Sequence, residues 1–180
     1  MNYKFLFFFP VFAFCFMIMN AQNPTDPEEQ FELGRQYVKQ QNAEKAAYWV
    51  KKAAEQGHAG AQAGLSGFYY LGIGVDMDYK EAVKWARKAA MQGHPSGQCM
   101  LGLYYESGVG VEKNMTEAIK WYKKAAEQDD EGAIAKLAQC YFYGNGVEKN
   151  RNEAIRLFKK AARMGEETSQ QMLRQLGESY

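Results

Sequence analysis

The sequence has few cysteines and histidines and no excess of charge of either sign. Only three cysteines and two histidines occur among its 180 residues, which leaves little material for a metal site or a disulfide network. With 22 basic and 21 acidic residues, the chain is close to neutral. No global charge therefore indicates nucleic-acid binding.

The one long apolar run lies at the N-terminus, from Phe5 to Met19, after the basic residue Lys4. This segment is predicted to be a signal peptide over 1–21, cleaved after Ala21. It has the basic N-terminal region, the apolar stretch of about 15 residues and the small residue before the cleavage site that signal peptides have. The protein is then secreted or periplasmic. A bilayer span needs roughly 20 residues, so a retained membrane anchor is the alternative. Residues 22–26 are predicted to be a linker.

Two cysteines, Cys99 and Cys140, follow the predicted cleavage site. An exported protein reaches a compartment where disulfides form, so a bond between them is one reading. Both residues lie among apolar residues of predicted helices, where a free cysteine behaves as a small hydrophobic side chain. We therefore expect two buried thiols.

The remaining sequence repeats with a period of 36 residues. Three full units align, which we call unit 2 (59–94), unit 3 (95–130) and unit 4 (131–166), after a shorter unit 1 (27–58). Residues 167–180 match only the first half of a unit and predict a C-terminal capping helix. Self-similarity at this period is typical of a solenoid. The positions that recur are Leu65, Leu101 and Leu137; Tyr69, Tyr105 and Tyr141; Gly72, Gly108 and Gly144; Gly74, Gly110 and Gly146; and Glu81, Glu117 and Glu153.

Each unit divides into two predicted helices. The first helix ends at a G-x-G-V segment, where glycine removes side-chain clashes. The second begins at Asp78, Asn114 or Asn150 in units 2 to 4, with a glutamate three residues later, as in a capping box. Its apolar stripe, exemplified by Ala118, Ile119, Trp121, Tyr122, Ala125 and Ala126, cannot be buried by one unit alone. The predicted fold is all-α, a solenoid of stacked helix-turn-helix repeats.

These residues resemble the Sel-1-like repeat, a relative of the tetratricopeptide repeat. The resemblance rests on L-G-x-x-Y from Leu101, G-x-G-V from Gly108 and E-A-I-K-W-Y-K-K-A-A from Glu117, and it covers 27–166. It implies a right-handed superhelix whose first helices line a concave groove. It also implies a scaffold or adaptor that binds proteins or peptides, in the cell envelope or outside the cell for secreted bacterial members.

A cysteine-rich subgroup of this family is stapled by disulfides within each repeat and has been linked to β-lactam hydrolysis. Here the two cysteines lie in the first helices of different units, so that stapling pattern is absent. No serine has a lysine three residues later, and no phosphate-binding loop or H-E-x-x-H motif occurs. We expect no enzymatic activity and no cofactor, and a β-lactam-interacting hydrolase is the alternative that the subgroup suggests.

His58 and His94 occupy the same position in consecutive units, just after a predicted helix C-terminus. A separation of roughly 10 Å, the usual distance between packed helices, is too large for a shared metal ion without other ligands. The negative end of the preceding helix favours a histidine at this position. We therefore expect no metal site.

Two surfaces are candidates for binding. By analogy with tetratricopeptide grooves, the outward positions of the first helices form a candidate partner-binding groove, because exposed aromatic rings beside polar groups suit a peptide. Its residues are Arg35, Lys39, Tyr70, Leu103, Glu106, Gln139, Phe142 and Tyr143. A basic ladder on the second helices is either a solvated face or a surface for an anionic envelope or acidic partner. Its residues are Lys51, Lys52, Lys84, Arg87, Lys88, Lys120, Lys123, Lys124, Arg156, Lys159 and Lys160.

Overall fold

The computed structural model describes residues 24–180, so the predicted signal peptide lies outside the described residues. Within 24–180 the chain forms nine α-helices and no β-strand, which confirms the all-α prediction. None of these helices is long and apolar enough to cross a membrane. They are α1 Pro27–Lys39, α2 Ala43–Glu55, α3 Ala59–Leu71, α4 Tyr79–Met91, α5 Pro95–Ser107, α6 Met115–Ala126, α7 Glu131–Tyr143, α8 Arg151–Arg163 and α9 Glu167–Leu176.

Consecutive helices pack against each other along the chain and pair into the predicted units. The pairs α1/α2, α3/α4, α5/α6 and α7/α8 form units 1 to 4, and α9 packs on α8. The first helix of unit 2 also contacts the first helix of unit 3, so first helices meet along one side of the stack. The fold is the α-solenoid of helical repeats that the sequence predicts.

The second helix of each unit begins at a polar side chain that accepts hydrogen bonds from the free N–H groups of the first turn. The Asp78 carboxylate accepts from the backbone N–H of Lys80 at 2.9 Å and of Glu81 at 3.0 Å. Such a cap stabilises a helix by about 1 kcal/mol. The predicted starts are confirmed, and the caps of the four second helices are Asn42, Asp78, Asn114 and Asn150.

The glycine loops end the first helices and seat each unit on the one before it. Gly108 ends α5 in the left-handed region, with φ of 74°. Gly110 has φ of 66° and lies against unit 2, where a Cβ atom would come within 2.1 Å of the carbonyl oxygen of Tyr79. Gly74 meets Ala43 of unit 1 in the same way. The second glycine of G-x-G-V is therefore needed for contact between units as well as for the turn.

Small residues in the core allow the helices to approach closely while aromatic rings fill the gaps. In α6, Ala118, Tyr122 and Ala125 are completely buried, as predicted for the stripe of the second helix. The Tyr122 ring lies directly over Gly102 of α5, where a Cβ atom would be 2.6 Å from the ring. Each unit buries its stripe against its own first helix and its neighbours.

Buried glutamines join the units by side-chain hydrogen bonds that sequence reasoning missed. The Gln92 amide nitrogen donates to the Gln62 side-chain oxygen at 2.7 Å and to the Gly57 carbonyl oxygen at 2.9 Å. Gln128 repeats both bonds with Gln98 and Gly93. In unit 4 the two glutamine positions hold the apolar residues Ile134 and Met164 instead. Glutamines recurring at 36 residues were a visible signal, but their pairing depends on the tertiary fold.

The C-terminal cap is shorter than predicted. Helix α9 ends at Leu176 because Gly177 takes the left-handed conformation, with φ of 72°, and residues 178–180 are not helical. Leu173 of α9 is fully buried in the cluster formed by units 3 and 4. The cap therefore covers the apolar end of the last unit with one helix.

We expect Gly110→Ala to destabilise the protein more than Gly93→Ala. Both glycines have positive φ, so each alanine carries the left-handed cost of about 1–2 kcal/mol. Only Gly110 also meets backbone of another unit, since nothing lies within 4 Å of a Cβ atom at Gly93. Overpacking adds about 1–3 kcal/mol at Gly110. Urea unfolding of both variants measures the difference, and equal losses would contradict the proposed contact between units.

Candidate functional site

The eight predicted groove residues lie on the first helices, in rows that run across the units. Tyr70, Glu106 and Phe142 occupy one row at intervals of 36 residues, and Leu103 and Gln139 occupy a second. Arg35, Lys39, Tyr70 and Tyr143 are exposed, whereas Leu103, Glu106, Gln139 and Phe142 are half-buried. The rows differ in chemistry from unit to unit, so this face is not uniform along the solenoid.

An aromatic cluster forms around Tyr70 at the unit 2 end of the face. The Tyr70 ring lies 5.6 Å from the rings of Tyr79 and Tyr104, between centroids. The Tyr104 hydroxyl is hydrogen-bonded to the Ser66 hydroxyl at 3.0 Å, and Ser66 donates to the Ala82 carbonyl at 2.7 Å. Burial raises the pKa of Tyr104. The cluster thus has a fixed, buried base and two exposed rings, Tyr70 at 40% and Tyr79 at 42%.

A second aromatic cluster lies at the unit 4 end. Phe142 is in edge contact with Tyr143, with ring centroids 5.0 Å apart, and packs on the buried ring of Phe158 at 6.3 Å. The Arg151 guanidinium lies 6.0 Å from the Phe142 ring centroid. Tyr143 remains 57% exposed. Of the predicted groove aromatics, Tyr70 and Tyr143 are therefore free to contact a partner, and Phe142 supports Tyr143.

Glu106 has contacts within the fold that the sequence did not reveal. Its carboxylate accepts a hydrogen bond from the Tyr122 hydroxyl at 2.5 Å and lies 3.2 Å from the Lys136 ammonium group. Burial, followed by the hydrogen bond to Glu106, raises the pKa of Tyr122. Glu106 and Lys136 belong to adjacent units, so this pair also joins unit 3 to unit 4. Two opposite charges thus lie between the aromatic clusters.

The histidines have a role beyond the one predicted. His58 and His94 follow the ends of α2 and α4, as predicted, and they also begin α3 and α5 as N-caps. The Nδ1 atom of His58 accepts from the Ala61 N–H at 2.9 Å, and that of His94 accepts from the Gly97 N–H at 3.5 Å. An Nδ1 acceptor requires a neutral imidazole with its proton on Nε2. The reason for this second role is the short turn, in which one residue both follows one helix and caps the next.

The two histidines have different surroundings. The His58 Nε2 atom lies 2.9 Å from the Glu28 carboxylate of α1. Burial and the neighbouring His58 lower the pKa of His94, while Asp130, the N-cap of α7, acts weakly in the opposite direction. No cluster of three or more metal-ligating side chains occurs among residues 24–180.

Both cysteines in the described part of the chain are free thiols, as expected, but only Cys140 is buried and Cys99 is half-buried. Burial raises the pKa of Cys99 to about 12 and that of Cys140 to about 11. Reactive cysteines need a lowered pKa, so these two thiols are inert packing residues at neutral pH.

Most residues of the basic ladder have partners within the protein. Ion pairs join Lys84 to Glu81, Lys120 to Glu117, Arg156 to Glu153, Lys159 to Glu178 and Lys160 to Asp129. Three other lysines lie over tryptophan rings, namely Lys52 over Trp49, Lys88 over Trp85 and Lys124 over Trp121. The ladder's charge is thus largely engaged locally.

The stacked helix pairs, with two long exposed faces, define an α-helical repeat scaffold. The Sel1 repeat pattern matches residues 30–58, 59–94, 95–130 and 132–166, which is most of the chain. The chain therefore belongs to the Sel1 repeat family. Sel1 repeats are scaffolds that typically mediate protein–protein interactions and are generally non-catalytic.

Solved structures of other Sel1 proteins are similar. The chain is 34% identical to c5321, a protective antigen of uropathogenic Escherichia coli with an SLR fold, at a TM-score of 0.77 over 85% of this chain and 34% of that one. It is also 34% identical to a Sel1 repeat protein from Oxalobacter formigenes, at a TM-score of 0.78 over 88% of this chain and 66% of that one.

Similarity to Helicobacter pylori cysteine rich protein B is lower, with 25% identity and a TM-score of 0.53 over 65% of this chain and 91% of that one. No curated protein sequence matches the chain. The chain spans about a third of the E. coli protein and just under two thirds of the O. formigenes protein.

We expect the pH dependence of stability to shrink when His94 is replaced by asparagine. Because the folded pKa of His94 is lowered, acid favours the unfolded state, and stability is lost as the pH falls below about 6.5, the ordinary histidine value. Asparagine caps three second helices here without titrating. Urea unfolding at pH 7.5 and 5.5 measures the loss, which should be smaller in His94→Asn. An unchanged loss would rule out this role of His94.

Proposed function

We propose that this protein binds a protein or peptide ligand through its first-helix face, in the cell envelope or outside the cell, without catalysing a reaction. Membership of the Sel1 family supports binding as the general role. We assign binding to the first-helix face because aromatic rings with large exposed areas occur on the first helices at both ends of the rows. The observation that carries the proposal is the pair of clusters around Tyr70 and Tyr143.

The two clusters have a chemistry that suits a peptide. Exposed tyrosines supply apolar contact area at little entropic cost and can also form hydrogen bonds. Between them, the half-buried ion pair of Glu106 and Lys136 offers one acceptor and one donor. A groove with aromatic contacts at its ends and polar groups between them can fix both the position and the direction of a bound segment.

Positions that vary between units also favour the first-helix face as the binding surface. The fold requires the recurring leucines, alanines and glycines, but it does not require Tyr70, Glu106 and Phe142 at one register position. Glu106 and Phe142 also have contacts within the fold, with Tyr122 and Phe158, whereas Tyr70 is exposed, so the units offer a ligand different chemistry at this position.

Export across the inner membrane is the second part of the proposal. It rests on the predicted signal peptide over 1–21. The description of the similar E. coli protein as a protective antigen supports an exposed location for that relative. Mass spectrometry of the protein expressed with its N-terminus in a Gram-negative host tests it. A mature chain that begins at Gln22 is expected, and a chain that retains residues 1–21 in the cytoplasm would refute export.

We expect a variant with Tyr70→Ala, Phe142→Ala and Tyr143→Ala to lose its ligand. The mature domain is used as bait on extracts of the source cells, and captured proteins are identified by mass spectrometry. The matched control is Tyr48→Ala with Met91→Ala, because these exposed apolar residues lie on the second helices. Partners recovered by the wild type and the control but not by the triple variant would support the groove.

Equal recovery by the triple variant and the wild type would show that this face is not the binding site. Circular dichroism of all variants checks that the fold is retained. Truncation of the exposed Tyr70 and Tyr143 should have little effect on stability, while Phe142→Ala removes some packing on Phe158. If the triple variant unfolds, the double variant of Tyr70 and Tyr143 serves the same purpose.

A further inference from the structure

One register position of the second helix changes in the last unit. Trp49, Trp85 and Trp121 occupy this position in units 1 to 3, each 36 residues after the one before, and Leu157 occupies it in unit 4. Unit 4 therefore lacks the indole ring that the other three units have. The consequence is visible between the second helices α6 and α8.

In units 2 and 3 the indole fills the space between neighbouring second helices. Trp85 is only 5% exposed and lies in a cluster with Ala54, Leu65 and Tyr69. Trp121 packs in the equivalent cluster of the next unit, which contains Ala90, Leu101 and Tyr105. The indole thus contacts the same three register positions in both units, two of them on the first helix below it.

In unit 4 the corresponding space is open. A cavity of about 370 Å³ lies between α6 and α8 and is lined by Ala126, Leu137, Tyr141 and Leu157, the equivalents of the residues around and including the indoles. It adjoins a second cavity of about 550 Å³ beneath the loop at Gly146, and Lys123 and Glu127 line both. Both spaces are open to solvent, which gives an incoming side chain access to them.

The polar groups that surround an indole are also present around the cavity. In unit 2 the Trp85 N–H donates to the Glu81 carboxylate at 3.0 Å, and the Lys88 ammonium lies 4.0 Å from its ring centroid. The equivalents in unit 4 are Glu153 and Lys160, and both line the cavity. In unit 4 Glu153 binds Arg156, as Glu81 binds Lys84 in unit 2, and Lys160 binds Asp129.

The basic side chains that line the two cavities favour acidic residues in a ligand. Lys123 and Lys124 line these cavities, and among the described residues neither has a carboxylate within ion-pair distance. Lys120 and Arg156 lie beside them. Acidic residues next to an inserted side chain would therefore meet the Lys123 ammonium group, whereas Lys124 already lies over the Trp121 ring.

We propose that the cleft between α6 and α8 binds a tryptophan side chain of a partner segment whose neighbouring residues are acidic. The partner's indole takes the place that Trp85 takes in unit 2, with Glu153 as the acceptor of its N–H, as Glu81 is for Trp85, and Lys160 over its face. In unit 3 the ring of Trp121 is held in the same place although its N–H has no acceptor among residues 24–180.

This site lies between the second helices α6 and α8, and its lining includes Ile134, Leu137 and Tyr141 of the first helix α7. None of its lining residues belongs to the proposed first-helix groove, so the two sites are separate. A protein with either surface inactivated keeps the other.

The probe is a short peptide with one central 5-fluorotryptophan between two acidic residues on each side, observed by fluorine NMR. The mature protein should shift and broaden its signal on titration. The same peptide labelled with a dye in place of fluorine, with tryptophan or with alanine at its centre, is compared by fluorescence anisotropy. Binding of the tryptophan form should exceed that of the alanine form by at least about tenfold, since a buried aromatic contact of about 1.4 kcal/mol or more is lost.

The decisive variant is Leu157→Trp, which closes the cleft with the indole that the other units carry. It should keep the fold and bind the tryptophan peptide at least about tenfold more weakly than the wild type. Undiminished binding by this variant, or equal binding of the alanine peptide, would overturn the proposal. The latter result would show that the lysines alone attract the peptide.

A second pair of variants tests the site without filling it. Lys160→Ala should weaken binding by about two- to fivefold, the usual range for one cation–π contact. Lys88→Ala is its matched control, because Lys88 lies over a ring of the same chain, and it should bind as the wild type does. Equal affinities for these two variants would contradict the assigned position of the indole even if Leu157→Trp failed to fold.

Discussion

The close approach of neighbouring helices is the constraint on which the rest of this structure depends. No unit can bury its apolar stripe alone, so each second helix must lie against its own first helix and against the next unit. Alanines such as Ala82 and Ala118 are completely buried at these contacts, and Gly110 brings a loop onto backbone of the preceding unit. The glutamine bonds and the ion pair of Glu106 with Lys136 form only at this spacing, because they join residues of different helices or units.

The features that could be predicted from the sequence are those determined by local chemistry. Asp78 and Asn114 start helices because a short polar side chain satisfies free N–H groups, and Gly108 ends a helix because it tolerates positive φ. The N-cap role of His94 was missed, because this residue lies where one helix ends and the next begins, and the contact of its side chain depends on the geometry of that turn. Glu106 was predicted to face a ligand, but its contact with Tyr122 arises from packing that no spacing indicates.

The candidate sites illustrate a division between recurring and varying positions. Recurring positions maintain the stack, and a change at one of them alters the fold unless something replaces the missing contact. Leu157 is such a change, and its cavity would be filled by a partner in our account. Varying positions, among them those of Tyr70 and Tyr143, are not needed to maintain the stack. The solenoid thus has two candidate binding surfaces. The first-helix groove arises from variation at exposed positions, and the cleft between α6 and α8 arises because Leu157 replaces a tryptophan.

Native-state hydrogen exchange tests the central claim that stacking between units, and not the helices themselves, stabilises the protein. If contacts between units dominate, amides of the inner helices α4 to α7 should be the most protected, and protection should fall towards α1 and α9, which have neighbours on one side only. Caps and helix lengths are similar in all units, so local helix stability would instead give equal protection throughout. That uniform result would contradict the account.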